Sequence, residues 1–198
     1  MKRNLFSLAI ILFVSTVMFI ACGSDKGPAE QAIKAAEEAI NSTKAEAAKY
    51  VPDQVKSLES ALAAVKDKFA KKEYKDAISE AQSLAGKAKG VMDAAKAKKE
   101  ELTKTWTDLS QGLPKMVEAI QSRVDILSKS KKLPGNLTAE KFAEVKSGLA
   151  SAKEEWAKAL ESSRAGNLAD AVSMANSVKE KAVQTMDTLG MPVPAAAK

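Results

Sequence analysis

The sequence predicts an all-α protein, an elongated antiparallel bundle built from helical hairpins, and three observations predict it. The chain is rich in Ala, Lys, Glu and Leu, which are strong helix formers, and only 5% of it is aromatic. Apolar residues recur in alternating steps of three and four over most of its length. No run of β-branched residues alternates with polar ones as a half-buried strand would. A length of 198 residues suits one elongated domain or two small linked ones.

Each element follows from its stripe. The first helix is expected over about 29–50, marked by Ile33, Ala36, Ile40, Ala47 and Tyr50, with Thr43 interrupting. Pro52-Asp53 marks a boundary, and Val55, Leu58, Leu62, Val65 and Phe69 form a heptad-like seam suited to nearly antiparallel packing. The polar turn Lys71-Lys72-Glu73 leads into a third helix carrying Tyr74, Ala77, Ala81, Leu84, Ala88, Val91 and Ala95. That stripe continues through Leu102, Trp106 and Leu109, weakened over the polar stretch Lys96 to Glu101.

Gly112-Leu113-Pro114 reads as a stop and restart, glycine past one helix end and proline opening the next. A short helix then carries Val117, Ile120, Val124 and Leu127, followed by a basic turn from Ser128 to Asn136. Thr138 is placed to cap a fifth helix with Phe142, Val145, Leu149, Ala152, Trp156 and Ala159. Gly166 ends it, and Asn167 is placed to cap a sixth with Leu168, Ala171, Ala175, Val178, Ala182, Met186 and Leu189. Six helices are therefore expected in two regions, 29–112 and 113–190, before a Pro/Ala tail over 191–198.

The two regions contain similar segments. Tyr74-Lys75-Asp76-Ala77-Ile78, then Ala81, Leu84 and Ala88, aligns without gaps with Leu168-Ala169-Asp170-Ala171-Val172, then Ala175, Val178 and Ala182. Upstream, Val55, Leu58, Leu62, Val65 and Phe69 match Phe142, Val145, Leu149, Ala152 and Trp156 at the same spacing. That pairing makes the second hairpin's first arm about two turns longer. The unit resembles the helical hairpin of tetratricopeptide-like repeats, although the full consensus and period of those repeats are absent. Val51-Pro52-Asp53-Gln54-Val55 and Glu73-Tyr74-Lys75-Asp76-Ala77 are more similar still to a domain of unknown function in small bacterial lipoproteins. The resemblance implies a packing and docking module with no chemistry attached.

The N-terminus has a different character. Met1-Lys2-Arg3-Asn4 is basic, and an uncharged run extends from Leu5 to Ile20. As a helix that run would measure about 24 Å, short of the roughly 30 Å hydrocarbon core a span must cross. A basic opening, a short apolar run and a small residue before the cut make residues 1–21 a secretory signal. The boundary Phe19-Ile20-Ala21-Cys22-Gly23-Ser24-Asp25 resembles the lipobox of bacterial lipoproteins, with Phe19 where that family usually has Leu. The resemblance implies cleavage between Ala21 and Cys22 and a diacylglyceryl thioether on Cys22, with a third acyl chain on its amine. Residues 22–28 would then be a lipid-anchored tether. Gly23 rather than Asp after the cysteine implies the inner leaflet of an outer membrane, facing the periplasm. Cys22 is the only cysteine, at the one place where such processing needs a thiol. Two or three acyl chains give durable attachment where one alone does not.

Composition removes most chemistry. There is no histidine, which excludes His-based triads and His metal ligands. With Cys22 consumed by lipidation, zinc-thiolate and cysteine-nucleophile chemistry go as well. No Gly-rich phosphate loop is present. The adjacent pairs Glu37/Glu38, Glu100/Glu101 and Glu154/Glu155 lie among lysines and read as solvated helix-face charges. No cofactor, metal or enzymatic activity is expected. Loss of Lys2 and Arg3 lowers the net charge from +6 to +4. The charge is nearly all lysine, with arginine only at Arg3, Arg123 and Arg164, and bidentate phosphate or base recognition usually draws on arginine. Export also argues against a nucleic-acid partner.

The expected function is that of a membrane-anchored envelope lipoprotein, a non-enzymatic helical docking or scaffold module with a protein partner in the envelope. Trp106, Trp156 and Tyr74 are the candidate interaction residues, with core packing as the competing role. Two alternatives stay open. One is a linker between membrane and peptidoglycan, in which the terminal Lys198 would be joined to the wall as in the similar Braun-type lipoproteins. The other is a carrier of an apolar ligand between helices. Heptad faces pair between chains as readily as within one, so the oligomeric state also stays open.

Overall fold

The computed structural model describes residues 25–135 and 137–194, so Ala21, Cys22 and Lys198 lie outside the described residues. Among the described residues there are five α-helices and no strand: α1 Lys26–Ala47, α2 Pro52–Ala70, α3 Tyr74–Lys129, α4 Ala139–Arg164 and α5 Leu168–Thr188.

The helices alternate in direction. Glu37 on α1 faces Lys66 on α2 (2.5 Å), and Lys44 pairs with Glu59, which makes these two antiparallel. Lys68 on α2 pairs with Glu80 on α3 beside the tight turn between them. α1 therefore runs parallel to α3; Asp25 shares a hollow with Lys72 to Asp76, and Glu46 meets Lys99 at 2.7 Å. Further on, Lys153 of α4 donates to Gln121 of α3 (2.5 Å), setting these two antiparallel, and α5 returns parallel to α3.

Two hydrophobic cores result, both built on α3. The first joins Ile33, Ala36 and Ile40 of α1, Val55, Leu58 and Val65 of α2, and Ala77 to Ala95 of α3. The second joins Leu102 to Leu127 of α3 with Phe142 to Ala152 of α4 and Val172 to Leu189. Tyr50, at the α1–α2 turn, packs on both. The molecule is two three-helix bundles set end to end on one helix of 56 residues, about 84 Å long at 1.5 Å per residue. Between Ala95 and Leu109 the only buried residue of α3 is Leu102, so the polar stretch Lys96 to Glu101 is a solvated waist.

The expected break at Gly112-Leu113-Pro114 is absent: α3 runs through it with Pro114 inside, and the described residues form five helices rather than six. An internal proline removes one backbone hydrogen bond and costs about 3 kcal/mol. Against that stands the stripe Leu109, Leu113, Val117, Ile120, Val124 and Leu127, buried in unbroken steps of four and three. Each such side chain contributes about 1.5–3 kcal/mol on burial, so keeping two in register outweighs the proline.

The turns reveal the register of the internal repeat. At the end of α2 the Glu73 N–H donates to the Lys68 carbonyl and the Lys72 N–H to Phe69, both at 3.0 Å. At the end of α4 the Asn167 N–H donates to Ser162 (2.9 Å) and the Gly166 N–H to Ser163 (3.0 Å). Both are Schellman closures with a left-handed residue, Lys72 at φ 65° and Gly166 at φ 80°. This register matches Ala77, Ala81, Leu84, Ala88, Val91 and Ala95 to Ala171, Ala175, Val178, Ala182, Thr185 and Leu189, and every one of these is buried. It carries upstream unchanged, so the buried Val55, Leu58 and Val65 match Leu149, Ala152 and Ala159, and Leu62 matches Trp156. The expected pairing of Phe69 with Trp156 is one heptad out of place. α4 is still the longer arm, 26 residues against 19.

Caps follow expectation at one helix and not at the other. The Lys141 N–H donates to Thr138 Oγ1 at 3.2 Å. Asn167 precedes α5 but its side chain makes no cap bond; its backbone N–H closes α4 onto the Ser162 carbonyl. Lys72 is the only non-glycine residue with positive φ among the described residues. An L side chain there costs about 1–2 kcal/mol, against about 0.4–1 kcal/mol of unfolded-state entropy that glycine adds. Lys72→Gly is therefore expected to stabilise by about 0.5–1 kcal/mol, read as a small rise in thermal midpoint.

Candidate functional site

Trp106 and Trp156 come together. Their rings stack across α3 and α4 with centroids 5.6 Å apart and planes 22° from parallel, both half-buried against the second core. One face of each indole is thus occupied by the other, an offset stack worth about 0.5–1.5 kcal/mol beyond the area it buries. Tyr74 lies far from them, at the first turn of α3, its ring 5.3 Å from Phe69 and tilted by 59°. It closes the α2–α3 turn. The three candidate aromatics therefore hold helices together and do not form one site.

Four of the six carboxylates in the adjacent pairs are engaged as charge partners. Glu37 meets Lys66, Glu101 meets Lys98 at 2.9 Å, and Glu154 meets Lys158 at 2.7 Å. Glu155 pairs with Lys181 of α5 and accepts from Ser177 at 3.0 Å. The Lys181 hydrogen bond holds the Glu155 carboxyl below its ordinary range, partial burial works against this, and the Ser177 bond adds to the lowering. Lys99, under the same logic, is raised by its hydrogen bond to Glu46 and by the phenol oxygen of Tyr50. Among the described residues no group of three His, Cys, Asp or Glu could hold a metal ion, and no helix is long and apolar enough to cross a membrane.

A concave feature lies between α3 and α5, a groove of about 440 Å³, inside the roughly 300–1,000 Å³ range of small-molecule pockets. Leu109, Leu113 and Met116 of α3 and Met186 of α5 make its floor. Lys115 and Asp108 on α3 and Lys179 on α5 stand at its walls, and Pro194 closes one end. The chain reaches that end because Gly190, at φ 63°, turns it back after α5, and the Met191 N–H donates to the Met186 carbonyl at 2.8 Å.

The matching place in the first bundle is shut. There α1 and α3 meet through Ala29, Ala36, Ala47, Ala81 and Ala88, all buried, and the Thr43 hydroxyl reaches the Ala88 carbonyl at 3.4 Å. Small residues let two backbones approach; in the second bundle α5 keeps Ala175 and Ala182, but α3 brings the bulkier Leu113 and Met116. The groove described above belongs to the second bundle. Sequence reasoning missed it because Gly112 reads as a helix stop and Met186 as an ordinary stripe position, while Met116 lies outside the expected stripe. The signal available was Leu113 and Met116 on the second bundle's α3, where the first bundle's α1 carries Ala29, Ala36 and Ala47.

Comparison with known proteins finds no matching family, no similar curated protein and no similar solved structure.

Proposed function

We propose that the chain is a lipid-anchored envelope lipoprotein whose helical body serves as a non-enzymatic docking or scaffold module. The observation that carries the reading is where α1 begins. Asp25 sits beside Lys72 to Asp76, at the end of the body where α2 turns into α3. A lipid on Cys22 would therefore hold the rod by one tip. The second bundle, starting near Leu102, would lie about 40 Å further along α3 at 1.5 Å per residue. Support for export and lipidation comes from the basic opening, the short apolar run and the lone Cys22 that follows Ala21. Support for docking without catalysis comes from the missing histidine and from carboxylates already paired with lysines.

Ile126, 59% exposed on the outer part of α3, is a suitable site for a photo-crosslinking residue. In producing cells, irradiation is expected to trap one defined envelope protein, with bulk lipoproteins in the background. Recovery of bulk lipoproteins alone would count against docking. Labelling with a radioactive fatty acid is expected to mark the wild-type chain and to be lost in Cys22→Ala; retained label would remove the anchor.

A further inference from the structure

Four lysines are half-buried among the described residues: Lys68, Lys98, Lys179 and Lys181. Three lean on carboxylates, Lys68 on Glu80, Lys98 on Glu101 and Lys181 on Glu155. Lys179 has no carboxylate within ion-pair distance among the described residues, and it faces the groove between α3 and α5. A half-shielded ammonium with no ion-pair partner is set to receive an anion. Lys115 on the facing helix brings a second positive charge and Asp108 one negative charge. The walls thus carry a balance of +1, which complements a monoanion. The floor below is aliphatic and thioether, and methionine adapts its shape to a flexible chain.

We infer that this groove binds a fatty acid of about twelve carbons, its tail along Leu109, Leu113, Met116 and Met186 and its carboxylate at Lys179. Gly112 gives the means of testing it. It lines the groove, and a Cβ built there meets no atom within 4 Å. A side chain at 112 would therefore fill the tail site without touching the packing that makes the fold. It would also replace a mid-helix glycine with a better helix former. Loss of binding in such a variant is separable from loss of structure.

Every buried hydrophobic residue among the described residues lies between Ala29 and Leu189, so residues 23–198 carry the folded body without the anchor. Calorimetric titration of that body with laurate is expected to give saturable binding of one molecule per chain. Dodecylammonium, with the same tail and the opposite charge, is expected to bind at least tenfold more weakly. Gly112→Leu should weaken laurate at least tenfold while keeping or raising the thermal midpoint. Lys179→Gln should weaken laurate several-fold and narrow its advantage over dodecylammonium. The inference is overturned by absence of saturable laurate binding, by equal binding of the two amphiphiles, or by indifference to Gly112→Leu. Binding of an anionic amphipathic helical peptide at this groove, with none of laurate, would assign it to a protein partner and overturn it equally. The measurement uses unanchored protein, so its failure leaves the anchoring reading untouched, and loss of the anchor leaves the groove in place.

Discussion

Replacing Pro114 with alanine is expected to stabilise the protein by about 2 kcal/mol. The proline sits within α3, where it supplies no N–H to the Ser110 carbonyl and its ring crowds that group. Alanine in a helix interior is favoured over proline by about 3 kcal/mol, and the extra freedom it gives the unfolded chain returns up to about 1 kcal/mol of that. Pro114 is exposed, so no core packing is lost. Urea unfolding checks the value. An unchanged or lowered stability would mean that the helix breaks at Gly112-Leu113-Pro114 after all, since proline at a helix start costs nothing. The experiment measures the continuity of α3 as well as the cost of its proline.

Ile120→Ala should cost about 2–5 kcal/mol, and Ile126→Ala, on the same helix, less than about 0.5 kcal/mol. Ile120 is 1% exposed at the centre of the second core, while Ile126 faces solvent. The same atoms are removed in both, so the difference isolates cavity formation and lost burial. The spectroscopic consequence is more informative. Trp106 and Trp156 both belong to the second bundle, so indole fluorescence follows that bundle alone, whereas far-ultraviolet circular dichroism follows all five helices. The bundles meet at a solvated waist, with Tyr50 the residue common to both cores. Weakening the second should separate the transitions, fluorescence tracking only the earlier one. Coincident curves would show that α3 transmits stability from one bundle to the other.

Much of the fold is legible in the sequence because it rests on local rules. The three-and-four stripes locate every buried face, Thr138 marks the start of α4, and Lys71-Lys72-Glu73 and Gly166 mark two of the turns. What is not legible comes from competition between rules. Glycine and proline at 112 and 114 are correct stop signals that lose to the burial of Leu109 through Leu127. The repeat register is ambiguous for a related reason. A seam with a seven-residue period matches itself after any whole heptad, so stripes alone cannot distinguish Phe69 from Leu62 as the counterpart of Trp156. The backbone of the turn, with Lys72 and Gly166 left-handed, resolves it. The groove is the least legible part. It depends on how far apart two helices stand, and that distance is set by side-chain volume at facing positions well separated in the chain.

The waist between the bundles also fixes a height and a heading. Lys96 to Glu101 are exposed apart from half-buried Lys98, so neither core dictates how many residues must lie there. One added heptad would lift the outer bundle by about 10 Å and turn it only about 20°. An addition of three or four residues would lift it by only about 5–6 Å but turn it by about 40–60°, pointing the groove to another side. A short polar segment with nothing to bury thus acts as a ruler and a compass, and natural variation in its length would re-aim the outer bundle without altering either core.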